Sequence, residues 1–360
     1  MKAVMKTKPG YGVEIKDVPA PQLGTDGAFL EVRAAGICGS DIHIYEWGPY
    51  SSYAKAVFTS PKGRILGHEN TAVIREISPS VVTNLTVGDR VLVDPHVLCG
   101  KCYYCRTGQE YLCSERKTIG IQLDGGMAEY LVARVDQLFK LPVNLSFEEG
   151  VILEPMAVAY HAVHKANMDE STSVAILGPG PIGLCTLLAA KLQGAEKILV
   201  AGLPEDTENG RLELAKELGA ATAIINDEDS LKKDVFSQLD AEGADVVFDA
   251  TGIRVTRNEM PMAINIGLRA LKRRKKLVMI GLHPKSNIEL DLASWLHTEK
   301  IIEPTIGYEH KDLKKIIDAA ANGLLPLEKL VDGLMPLEKG VEAFEKAAEK
   351  TSKGRIILTP

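Results

Sequence analysis

The sequence predicts an α/β protein of two domains: an N-terminal, partly open β-barrel and a doubly wound parallel sheet, after which the chain returns to the barrel. Three observations lead there. The chain has 360 residues, more than one ordinary core holds. Up to about residue 145, short apolar or alternating runs recur between Gly, Pro and Asp. Beyond that point, apolar strand-like runs alternate with helical stretches, the pattern of parallel strands joined by right-handed crossovers.

In the first half, the runs 29–34, 71–77, 90–93 and 127–132 read as strands, punctuated by Val87-Gly88-Asp89 and Asp124-Gly125-Gly126. This spacing suits a barrel with long functional loops. In the second half, 174–177 reads as a buried strand, followed by a helix to about 193, a strand at 198–201 and a helix at 211–218. Short buried strands are expected at 223–225, 246–248 and 277–280, and a last strand at 355–358. The boundaries so drawn are 1–145 with 285–360 for the barrel domain, and 146–284 for the parallel sheet. The apolar run 174–190 is long, but Gly178, Pro179, Gly180, Pro181 and Gly183 interrupt it. A strand, a tight turn and a buried helix explain it better than a membrane span.

Apolar residues make up 45% and charged residues 25% of the chain, with a net charge of −6. No basic field invites nucleic acid or an anionic membrane. The one basic cluster, Lys272-Arg273-Arg274-Lys275-Lys276, reads as a solvated helix end. Residues 1–12 hold no apolar signal core, so a soluble, cytoplasmic protein is expected. Of six cysteines, four lie between 99 and 113, which in such a chain argues for metal rather than disulfides.

Cys99, Cys102, Cys105 and Cys113 follow the spacing C-x2-C-x2-C-x7-C. Four thiolates close a tetrahedral zinc shell, which makes the site structural, and binding folds a lobe with little apolar core of its own. Iron–sulfur clusters use related spacing, but no proline follows the fourth cysteine. A second constellation runs through Gly36-Ile37-Cys38-Gly39-Ser40-Asp41-Ile42-His43, Gly67-His68-Glu69 and Leu153-Glu154-Pro155. A catalytic zinc needs about three protein ligands and one open position. Cys38 and His68 offer a thiolate and an imidazole, and Glu69 and Glu154 are the carboxylate candidates. Zinc lowers the pKa of an alcohol. The Ser40 hydroxyl can take that proton and pass it toward His43, whose ordinary pKa near 6.5 suits the task.

Gly178-Pro179-Gly180-Pro181-Ile182-Gly183 matches G-x-G-x-x-G between a predicted strand and an apolar helix, the context of a Rossmann dinucleotide site. The glycines permit a tight turn, and the helix N-terminus faces a pyrophosphate. The acidic residue expected to end the second strand is replaced by Gly202, followed by Leu203-Pro204-Glu205-Asp206. Arg211 is the cation within reach of a 2′-phosphate, or else a surface helix residue, so NAD and NADP both stay open.

Taken together, these motifs resemble the zinc-containing medium-chain dehydrogenase/reductase superfamily along essentially the whole chain, its sorbitol (polyol) and threonine dehydrogenase branches most. The resemblance implies a chaperonin-10-like catalytic domain and a Rossmann domain, zinc at both sites, NAD or NADP, and a homotetramer or dimer. It implies that Cys38 and His68 ligate the catalytic zinc, with Glu69 directly or by exchange with water. Glu154 stands where the classical alcohol dehydrogenases have a second cysteine, so it ligates zinc or hydrogen-bonds the zinc water. Asp41 orients His68, Ser40 and His43 relay protons, and Arg355 approaches the pyrophosphate. The sequence departs from the pattern at Ala72, where glycine is usual, and in extra residues around 50–64, which reshape the substrate mouth. Tyr45 and Trp47 are similar to the threonine branch, and the run from Glu154 to Ala162 to the polyol branch. A polyol or other secondary alcohol is the first reading of the substrate, and threonine or a related amino alcohol the second. A quinone or enoyl reductase, or a non-catalytic relative, would be expected to lose Cys38, His68 or the relay.

Overall fold

The computed structural model describes residues 1–47, 62–227, 229–251, 263–282 and 290–360. The extra residues read around 50–64 lie mostly outside them. The chain forms two compact units, Met1–Glu154 with Leu313–Pro360, and Pro155–Asp312.

The first unit is the partly open barrel. Its largest sheet runs in the order Leu138–Lys140, Arg90–Val93, Glu69–Ile77, Gly27–Gly36, Arg355–Thr359, Val331–Pro336, with Tyr130–Arg134 also pairing Gly27–Gly36. A smaller sheet pairs Glu14–Asp17, Lys2–Lys6 and Arg64–Ile65. Alternation along Gly27–Gly36 sends Ala28, Leu30 and Val32 inward and exposes Arg33. Register shifts between Phe29/Leu30 and Val32/Ala34 mark bulges against Glu69–Ile77. Bulges bend a strand and raise its twist, which curls the sheet. The run expected at 127–132 forms its strand slightly later, at Tyr130–Arg134. Met127 instead accepts the Val4 N–H at 2.8 Å, joining the two sheets.

The second unit holds six parallel strands in the order Ala221–Ile224, Lys197–Gly202, Ser173–Leu177, Ala244–Asp249, Leu271–Met279, Ile301–Pro304. Counted along the chain this is 3-2-1-4-5-6, the doubly wound order, whose switch point lies between Ser173–Leu177 and Ala244–Asp249. Every residue of Ser173–Leu177 is buried, as a central parallel strand covered on both faces requires.

Two expectations need correction. The basic cluster 272–276 is not a helix end but part of the strand Leu271–Met279. Its charges are answered across the sheet, Lys272 and Lys275 by Asp245, and Lys276 by Glu303. The second unit also continues past the boundary drawn at 285. Ile301–Pro304 pairs in parallel with Leu271–Met279, and the chain joins the first unit again at Leu313. Among the described residues, no helix is long and apolar enough to cross a membrane.

Candidate metal centres and dinucleotide site

Cys38 is the N-cap of the helix Gly39–Glu46, with extended backbone, so its thiol stands at the helix start. Asp41 accepts the Cys38 N–H at 3.0 Å, closing the first turn. Three strands bring the other donors to this point. Gly36 at the end of Gly27–Gly36 pairs with Glu69 on one side and Ile357 on the other, and His68 immediately precedes Glu69. One ligand atom from each of Cys38, His68 and Glu69 lies within 4.8 Å of the others. Ser40 Oγ lies 3.4 Å from His68 Nε2, and Asp41 Oδ2 lies 3.7 Å from His68 Nδ1. A carboxylate behind an imidazole is the usual support of a ligating histidine.

The cluster is rich in acid and short of protons. Asp41 Oδ1 and Glu69 Oε2 are buried and make no hydrogen bond among the described residues, and Glu69 Oε1 faces Arg355 Nη2 in an ion pair. Glu154, also buried, is pushed up to about 8 by burial, with Glu69 and Asp94 adding to the rise and His68 opposing it. Burial works against a charge on His68, yet Asp41 and Cys38 overcome it and hold its pKa well above the ordinary value. Acids packed this closely in a buried place favour a bound cation, and the donor set of thiolate, imidazole and carboxylate fits zinc.

The four-cysteine loop is preformed in the same sense. Cys102 Sγ is 3.5 Å and Cys99 Sγ 4.0 Å from Cys105 Sγ. A tetrahedral shell with Zn–S bonds of about 2.3 Å places its sulfurs roughly 3.8 Å apart. Backbone N–H groups of Cys105 and Ser114 pull the Cys102 thiol down to about 6, whereas burial and the neighbouring thiols push Cys105 up to about 12. Four adjacent thiols cannot all ionise unaided, and a bound dication removes that conflict.

In the second unit, Gly178 follows the strand Ser173–Leu177 with φ +91°, and Gly180 caps the helix Pro181–Leu192 with Pro181 in its first turn. A Cβ on Gly183 would fall 1.9 Å from the Gly178 carbonyl oxygen, so only glycine lets turn and helix approach this closely. Among the described residues nothing lies within 4 Å of a Cβ built on Gly180, which leaves its backbone open to a ligand. The turn sits at the switch point and meets the fit required for a pyrophosphate.

Residues 24–143 match the model of the alcohol dehydrogenase GroES-like domain, and residues 181–322 that of the zinc-binding dehydrogenase. The chain is 34% identical to D-arabitol-phosphate dehydrogenase from Enterococcus avium, over 97% of this chain and 95% of that one. The chain belongs to the zinc-containing medium-chain dehydrogenases. It is also 37% identical to L-threonine 3-dehydrogenase from Pyrococcus horikoshii, over 79% of this chain and 76% of that one. An alcohol dehydrogenase from a Thermus species superposes with a TM-score of 0.86 at 28% identity, covering 100% of this chain and 99% of that one. The chain is thus a zinc- and nicotinamide-dependent dehydrogenase of the alcohol and polyol class.

Within this dehydrogenase, Cys38, Ser40, Asp41, His68, Glu69 and Glu154 come together in the first unit, and Cys99, Cys102, Cys105 and Cys113 form the second metal cluster. Gly178, Gly180, Pro181, Ile182 and Gly183 form the turn, with Gly202 beside it. His43 lies three residues beyond Ser40 on one helix, half-buried. Arg355 lies against the metal-donor cluster. Its Nη2 lies 2.9 Å from Glu69 Oε1 and its Nη1 donates to the Ile37 carbonyl, because Arg355–Thr359 pairs with Gly27–Gly36 beside Glu69. Arg211 differs from expectation: it is buried and ion-paired with Asp206, not a surface helix residue. Tyr45 is core, packed against Phe344 and Tyr11.

The sequence reading passed over Asp94, a buried carboxylate at the end of an apolar strand that raises Glu154. It also passed over Asp249 and Thr251. Asp249 accepts the Thr251 hydroxyl at 2.6 Å, and this loop lies against Gly178. The signal for both was an aspartate directly after a run of buried apolar residues.

Proposed function

We propose that the enzyme oxidises a polyol or other secondary alcohol, with Cys38, His68 and Glu69 holding the catalytic zinc and Glu154 completing its surroundings as ligand or as partner to its water. The observation that carries this reading is the convergence of those three donor atoms within 4.8 Å of one another. Zinc held there supplies the Lewis acidity that makes a substrate hydroxyl acidic near neutral pH. Ser40, whose hydroxyl borders His68, takes the proton and hands it to His43, which shares its face of the helix. Burial first, and Lys350 second, lower the His43 pKa to about 4, below the ordinary value near 6.5, so the ring is neutral at neutral pH and carries a proton only in transit. Gly178–Gly183 would hold the pyrophosphate of a nicotinamide dinucleotide, which when bound would supply the hydride acceptor for the substrate carbon. The four-cysteine cluster binds a second, structural zinc. In this reading the barrel domain performs the chemistry, the parallel sheet carries the dinucleotide, and the enzyme works in the cytoplasm as a homotetramer or dimer.

A second reading, oxidation of threonine or a related amino alcohol, draws support from the 37% identity to a threonine dehydrogenase. A panel of polyols, polyol phosphates, diols and threonine, each followed by nicotinamide absorbance with NAD and NADP, decides between them. Turnover of polyols at least tenfold above threonine in kcat/KM supports the first reading, and the reverse order replaces it with the second. Full turnover by Cys38→Ser would remove the zinc assignment itself.

A further inference from the structure

Selectivity between the two nicotinamide dinucleotides is decided where the adenosine ribose meets the second strand of the sheet, and the inference here rests on the glycine turn being the dinucleotide site. The strand Lys197–Gly202 ends beside that turn. A Cβ on Gly202 would lie 2.8 Å from Pro179 Cγ and 2.9 Å from Asp206 Oδ2. A side chain at the strand end would have to displace Pro179 and the Asp206 carboxylate, and the carboxylate that ordinarily binds a ribose diol is absent there.

Asp206, on the short helix Pro204–Glu208, packs into this place. It is 5% exposed, and both oxygens are engaged: Oδ2 accepts the Leu203 N–H at 2.9 Å, and Oδ1 accepts Arg211 Nη1 at 3.3 Å. Arg211 is 8% exposed. It is the only Lys or Arg between positions 198 and 211, and hence the cation of this segment that a 2′-phosphate would use. Asp206 already answers its charge, and a buried ion pair is costly to break. The same segment adds two further acids, Glu205 and Glu208. A dianionic phosphate approaching Gly202 therefore meets net negative charge, whereas an uncharged diol does not.

We propose that the Asp206–Arg211 ion pair, seated behind the side-chain-free end of Lys197–Gly202, makes this dehydrogenase select NAD(H) over NADP(H). The test is binding of NADH and of NADPH to the purified, zinc-loaded full chain, followed by nicotinamide fluorescence, which does not depend on turnover. The wild type is expected to bind NADH at least about tenfold more tightly than NADPH. Asp206→Asn removes the carboxylate that faces the guanidinium and should tighten NADPH by roughly tenfold, narrowing the ratio. Arg211→Gln removes the positive charge of the pair and should widen it. The two single variants thus move the ratio in opposite directions, a pattern that a general loosening of the fold does not produce. Equal or tighter binding of NADPH by the wild type overturns the proposal. So does a ratio that both variants leave unchanged or shift the same way, and if Asp206→Asn does not fold, the wild-type ratio and Arg211→Gln still decide. Failure of the wild type to bind either dinucleotide would instead overturn the reading of the glycine turn.

Discussion

At the scale of single residues, the active cluster is a problem in charge packed at close quarters. Cys38, Asp41, Glu69 and Glu154 crowd around His68, and the Arg355 guanidinium answers Glu69. Removing one ligand should therefore release the ion rather than weaken it slightly. Cys38→Ser is expected to lower zinc content from about two to about one per chain. It should cut kcat/KM by roughly a thousandfold, since a Lewis acid is worth several kcal/mol at about 1.4 kcal/mol per tenfold. Metal analysis and kinetics on the same preparation check both. A different buried charge, Lys6, lies on the strand Lys2–Lys6. It is 1% exposed, donates to the carbonyls of Gly12 at 2.8 Å, Tyr45 at 3.3 Å and Gly10, and lies 5.5 Å from the Trp47 ring centre. Burial lowers its pKa from 10.5 to about 8. Between those values the unfolded chain binds the proton and the folded one does not, so stability gains as pH rises. The contribution of Lys6 is present in full above 10.5 and is lost as pH falls through about 8. The stability of the wild type relative to Lys6→Met should thus improve from pH 7 to pH 10, read as the difference in melting temperature at each pH. A flat difference would mean that Lys6 titrates normally.

At the scale of elements, what could be read from the sequence is what neighbours along the chain decide. The strand, glycine turn and helix from 173 to 192 are contiguous, as are the four cysteines, and both appear where their spacing put them. The turn admits a sharp test. Gly183→Ala drives a methyl group into the Gly178 carbonyl, 1.9 Å away before any relaxation. Overpacking of this kind costs about 1–3 kcal/mol, so NADH affinity should fall roughly 10- to 100-fold while both zinc ions stay bound. Unchanged NADH affinity would show that the turn is not the cofactor cradle. What stayed illegible depends on register between distant strands. No local pattern announces that Arg355 meets Glu69, since that contact is set by Gly36 pairing with both Glu69 and Ile357. Arg211 and Asp206 sit amid a polar loop and read as solvated until burial is seen. The cluster 272–276 misled because five cations in a row suggest solvent, whereas acids on other segments receive four of them. Ile301–Pro304 escaped because it is four residues long and ends in proline, which an edge strand tolerates.

At the scale of the whole molecule, each unit carries its own core and its own ligands. In the first, Val4, Ile44, Tyr45, Leu66, Phe344 and Leu358 form one buried cluster, and Leu30, Ile74, Val91 and Leu131 another. In the second, Ala175, Leu199, Val235, Val247 and Leu277 pack between the parallel sheet and its helices. Both metal clusters belong to the first unit and the glycine turn to the second. A ligand that binds only a folded unit stabilises it by RT ln(1 + [L]/Kd), about 2.7 kcal/mol at a hundredfold excess over Kd. Zinc and dinucleotide should therefore act on different parts of the unfolding curve. Calorimetry is expected to resolve two transitions. A chelator should move one of them down, the one that carries the barrel signal of Trp47, and NADH should move the other up. Each effect should persist when the other ligand is absent, because neither core borrows its ligand from the other. If either treatment shifts the entire curve as a single transition, the units unfold as one block. The stability of the metal-binding barrel then cannot be tuned apart from that of the nucleotide sheet.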